Sequence, residues 1–114
     1  MRRIVLLVAL AACRTKAGDS PPCATVAGRF FTLAHADLDR AHVDDTLRRQ
    51  VADQLPAMRD SLDHICSEGA WPAAVRDCMV EAEDRTALEA CEQKLTDEQR
   101  AALDRGTRGE TPSP

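Results

Sequence analysis

Cys23, Cys66, Cys78 and Cys91 are the residues of this 114-residue chain best able to do covalent chemistry, and their spacing decides which kind. The intervals hold 42, 11 and 12 residues, with no Cys-x-x-Cys pair among them. Structural zinc sites are usually built from such close pairs, so the spacing argues against a bound metal. An even set of distant cysteines reads instead as a disulfide framework, provided the chain leaves the reducing cytosol.

His35, Asp39 and His42 are the second group with chemical potential. They recur at i, i+4 and i+7, one face of a helix if the helix runs that far, and two imidazoles with a carboxylate suit zinc or copper. This makes them a weak metal candidate, because Asp37, Arg40 and Asp44 surround them as on an ordinary solvated face. Ser20, Ser61, Ser67 and Ser113 sit in no strand-turn-helix elbow, and no glycine-rich phosphate loop occurs. The residues therefore predict no catalytic group, no cofactor and no enzyme.

The elements that must position these residues are helical. Val26, Phe30 and Leu33, with Ala27, Phe31, Ala34 and Leu38 beside them, predict a helix over residues 23–39. Asp44, Asp45 and Thr46 offer cap chemistry for a second helix, whose apolar seam is Leu47, Val51, Leu55, Met58, Leu62 and Ile65. Pro56 predicts a kink or local break in it, and Gly69 its end. Trp71-Pro72 opens a shorter helix with Trp71, Val75, Cys78, Met79 and Ala82 on one face. Glu83, Asp84 and Arg85 mark a turn before a short helix carrying Leu88, Cys91 and Leu95. Thr96 and Gln99 form a capping box for a last helix through Leu103, stopped near Gly106. No strand alternation occurs. The expected fold is all-α: a small disulfide-stapled bundle of about two helical hairpins and a short C-terminal helix, spanning residues 23–105, with residues 106–114 a disordered tail.

Hairpin symmetry bears on the disulfide connectivity. Residues equidistant from the turn of an antiparallel hairpin lie opposite each other. The midpoint of Cys78 and Cys91 falls in the predicted polar turn, and that of Cys23 and Cys66 falls between Asp44 and Asp45. This favours Cys23 with Cys66 and Cys78 with Cys91. The alternative, Cys66 with Cys91 and Cys23 with Cys78, would lock the two hairpins to each other.

The first residues concern address rather than fold. Arg2 and Arg3 precede the apolar run Ile4 to Leu10, and two small residues, Ala11 and Ala12, lead directly to Cys13. That order is the order of a secretory signal, with residues 1–12 removed. Leu10-Ala11-Ala12-Cys13 resembles the lipobox of bacterial lipoproteins, a likeness that implies acylation of Cys13, a membrane anchor through its lipid, and residues 13–22 as a flexible tether. Arg14 stands where an aspartate signals inner-membrane retention in Gram-negative lipoproteins, which points to the outer membrane, facing the periplasm. Cleavage leaves thirteen basic against nineteen acidic residues, a formal charge of −6 that excludes an extended basic face for nucleic acid.

Leu95-Thr96-Asp97-Glu98-Gln99 is similar to the Leu-Thr-x-x-Gln motif of small helical envelope proteins of the Spy and CpxP type. That resemblance implies a periplasmic chaperone or stress-response factor. Without it, the residues point to a non-enzymatic interaction or structural module with a protein partner in the envelope. Metal binding through His35 and His42 comes third. The intact mass of membrane-extracted protein is expected to fit residues 13–114 plus acyl groups, with four further thiols alkylated only after reduction. An unlipidated mass with free thiols would remove both the anchor and the oxidising compartment.

Overall fold

Pro22 and Asp44 stand at the starts of the two long helices that carry the rest of the fold. The computed structural model describes residues 20–109; the signal segment, Cys13, most of the tether and residues 110–114 of the expected tail lie outside them. In chain order the elements are α1 (Cys23–Arg40), α2 (Asp45–Glu68), α3 (Ala73–Glu81), α4 (Arg85–Cys91), a 3₁₀ turn (Glu92–Lys94) and α5 (Asp97–Thr107). No strand occurs among the described residues, and the class is all-α.

The long hairpin of α1 and α2 forms the main packing surface, and α3, α4 and α5 gather at one end of it. There the core joins Val26 and Leu33 of α1, Trp71, Val75 and Met79 around α3, Leu88 of α4 and Leu103 of α5. Leu38 and Leu55 are buried apart from that cluster, further along the hairpin. Both disulfides follow hairpin symmetry. Cys23 pairs with Cys66 and Cys78 with Cys91, at Cα separations of 5.7 and 5.8 Å. Each closes a hairpin at its open end.

Asp44 accepts from the Leu47 amide and Asp84 from the Ala87 amide, so two of the helix starts are capped by aspartate. Arginines serve the opposite ends. The Arg48 guanidinium donates to the carbonyls of Leu38 and Ala41 where α1 stops. Arg29 Nε donates to the Ala82 carbonyl after α3 at 2.8 Å. Arg76 donates to the carbonyls of Trp71 and Pro21, fastening the start of α1 beside the start of α3. A guanidinium offers several donors to carbonyls that have no partner inside their own helix.

Several boundaries differ from the sequence expectation. Pro56 produces no break: α2 runs through it, with the proline itself exposed. Pro72 caps α3 instead of occupying its first helical position. The short helix with Leu88 ends at Cys91, and the 3₁₀ turn then delivers Leu95 to the core. The last helix ends at Thr107, one residue past Gly106. A Cβ built on Gly106 would meet Ile65 Cδ1 at 2.2 Å, so this glycine serves close approach between α5 and α2. The left-handed residue after the helix is Gly109, at φ 76°.

The end of α2 shows the same division of labour. Gly69 has an ordinary right-handed conformation, and the left-handed residue is Ala70, at φ 48°. Ala70 N–H donates to the Ser67 carbonyl and Trp71 N–H to the Cys66 carbonyl, the bonding pattern of a Schellman end with alanine in the glycine position. Gly69 is needed for space, because its Cβ would lie 2.9 Å from the Ile65 carbonyl oxygen and 3.1 Å from the Trp71 indole. Left-handed backbone costs a non-glycine residue about 1–2 kcal/mol, offset in part by the greater unfolded-state entropy of glycine. Ala70→Gly is accordingly expected to stabilise the domain by about 0.5–1 kcal/mol, read as a higher urea midpoint at unchanged slope. A lower midpoint would show that Ala70 makes a contact worth more than its strain.

Candidate functional site

The three residues of the candidate metal group do not converge. α1 ends at Arg40 and Ala41 is extended, so His42 leaves the helical face before the i+7 position can be used. The His35 ring meets Phe31 edge-on at a centroid distance of 4.5 Å, and the Arg59 guanidinium stands 5.0 Å from the centre of the same Phe31 ring. His35 therefore belongs to an aromatic and cationic cover over Phe31, while Asp39 and His42 are exposed. Among the described residues no group of three His, Cys, Asp or Glu side chains is placed to hold a metal ion. Asp37, beside them, faces Arg40 at 3.0 Å and Arg85 at 3.8 Å.

A concavity among the described residues lies elsewhere, between the C-terminal half of α2 and α5. Two contacts set α5 there. The Thr96 hydroxyl accepts from the Gln99 amide at 3.1 Å and the Gln99 side-chain oxygen accepts from the Thr96 amide at 2.9 Å, completing the capping box. The Gln99 side-chain amide also donates to the Gly69 carbonyl at 2.9 Å, which ties the start of α5 to the end of α2. Seven residues on, Gly106 lets α5 close against Ile65. The Leu-Thr-x-x-Gln residues are thus occupied: Leu95 in the core, Thr96 as a cap, Gln99 as cap and clamp.

The groove between these helices encloses about 830 Å³ and is open along one side. Ile65, Trp71 and Ala102 supply apolar wall, and Asp60, His64, Glu68, Glu98 and Arg105 supply polar wall. Ser61, Ile65, Trp71 and Gly106 are shared with a narrow apolar slot of about 50 Å³ that reaches Phe30, Met58, Leu62 and Leu103. Met58, Leu62 and Ile65 are seam residues of α2 that are only half-buried, so the seam is not wholly consumed by the core. At its other end Leu47 remains 43% exposed.

Three carboxylates and one guanidinium line the groove. Asp60 is paired with Arg59 at 3.3 Å, whereas Glu68 and Glu98 make no hydrogen bond or ion pair among the described residues. Glu92 lies at the slot, and burial, with repulsion from Glu89 and Asp104, pushes its carboxyl above the usual range against the opposing pull of Arg85.

Trp71 is 3% exposed, yet its indole Nε1 is the one buried side-chain nitrogen or oxygen among the described residues without a partner. A buried indole N–H normally finds an acceptor. Its edge faces Gly69, whose Cβ position lies 3.1 Å from Nε1 and which itself lines the groove. Sequence reasoning places Trp71 on the core face of α3 but has no signal for the missing acceptor or for the groove. Both depend on where α5 lands relative to α2.

Comparison of the chain with protein-family models, with curated proteins and with solved structures finds no match in any of the three. No helix among the described residues is long and apolar enough to cross a membrane.

Gln99→Ala removes both the reciprocal cap and the tie to Gly69. It is expected to lower the free energy of unfolding by about 1–2 kcal/mol, read by urea denaturation. An unchanged midpoint would mean that the clamp contributes nothing and that Gln99 is free for another role.

Proposed function

We propose that this chain is a non-enzymatic lipoprotein of the bacterial envelope that acts as a protein-interaction module, held on the outer membrane through acylated Cys13 and facing the periplasm. The observation that carries the reading is the open groove along α5, with an apolar floor and unpaired carboxylates, on a scaffold fixed by two disulfides. Such a surface suits recognition: concave, partly apolar and largely preformed. Ser61, His64 and Asp60 line the groove, but among the described residues no hydrogen bond joins them into a nucleophile, base and orienting partner. The envelope address rests on the signal segment and Cys13 alone.

The rival reading is a periplasmic chaperone of the Leu-Thr-x-x-Gln type. Thr96 and Gln99 are engaged in the cap and clamp of α5, so the motif lends that reading no separate support. Capture of the tagged, oxidised lipoprotein from detergent extracts of its own envelope is expected to enrich one discrete protein over a mock capture. Repeated captures indistinguishable from the mock would remove the interaction reading. Suppression of aggregation of unrelated unfolded clients at near-stoichiometric ratios would replace it with the chaperone.

A further inference from the structure

The groove combines features that together specify a guest. Its apolar lining residues Ile65, Trp71 and Gly106 also line the slot that reaches Met58, Leu62 and Leu103. That slot fits the end of an aliphatic side chain and little more. Glu68 and Glu98 stand at the groove without cationic partners among the described residues, two carboxylates against the one guanidinium of Arg105, and Glu92 at the slot faces Glu89 and Asp104 as well as Arg85. Carboxylates around an apolar trough select a positively charged, apolar guest and repel an acidic one.

We propose that the groove between α2 and α5 binds an extended segment of a partner polypeptide in which one or two lysines or arginines flank an aliphatic anchor. The anchor enters the slot, and the cations lie against Glu68 and Glu98. The inference deepens the interaction reading and rests on it, since it names the surface and the chemistry of the partner. The groove volume is in the range that encloses a short peptide segment.

The chain carries its own reporter, because Trp71 is its only tryptophan and lines the groove. The oxidised protein is titrated with the tryptophan-free peptide acetyl-Ala-Leu-Lys-Val-Lys-Leu-Ala-amide while indole emission is followed. A saturable change in emission is expected. The glutamate-for-lysine version of the peptide is expected to give none. The double variant Glu68→Gln, Glu98→Gln is expected to bind the basic peptide about five- to tenfold more weakly, as fits the loss of two partly exposed charge pairs. Both positions are exposed and unpaired, so the variant should keep the wild-type helical circular dichroism and urea midpoint.

No saturable change, equal response to the acidic peptide, or undiminished binding by the double variant would each overturn the proposal. So would displacement of the basic peptide, at matching midpoint, by a peptide of residues 14–20, which would assign the groove to the tether of this chain. Capture separates the two levels. A discrete partner recovered equally by wild type and double variant leaves the interaction module standing and overturns the groove as its seat.

Discussion

The Cys23–Cys66 bridge is the constraint on which the rest of the structure depends. It joins the first residue of α1 to the last turn of α2, and Cys66 is fully buried where α3 and Trp71 begin. On the loop-entropy account a bridge across 43 residues contributes about 4 kcal/mol. That is comparable with the net stability of many small domains. It also fixes one end of the long hairpin, so the first turn of α1, the end of α2 and the start of α3 meet at one place. Arg76 reinforces the junction by reaching both Pro21 and Trp71.

Around that junction the domain is economical in apolar material. With three aromatic residues and no tyrosine, its core is aliphatic and sulfur-rich, and α4 spans only seven residues. Short helices are costly because their ends make up much of their length and leave backbone groups unpaired. The sequence answers with aspartate and threonine at helix starts and arginine at helix ends or turns. The Cys78–Cys91 bridge holds α3 and α4 together where the packing surface of each is small.

The groove is a consequence of how α5 is attached. One side chain, Gln99, and one missing side chain, that of Gly106, set its approach to α2. Neither contact fills the space alongside, so half-buried seam residues of α2 are left facing a trough instead of a core. Glu68 and Glu98 line that trough together with Arg105, and Glu92 lines the slot. Midway along the hairpin, Phe31 is covered by Arg59 and His35.

By itself the sequence determined what depends on short-range chemistry. Periodicity gave the helices, Asp44 and Thr96 gave two of their starts, and equal distances from the turns favoured both disulfides. It was silent or misleading where the outcome turned on how one helix or ring comes to lie against another. α2 and α5 do end at and beside Gly69 and Gly106, but the left-handed positions fell to Ala70 and Gly109, and a Cβ on either glycine would crowd another helix or ring. His35 and His42 share a helical register on paper, but α1 ends between them. The groove and the orphaned Trp71 N–H had no local signature at all. They arise from the placement of α5 on α2, and tertiary structure alone decides that, because Gln99 meets Gly69 across thirty residues of intervening chain.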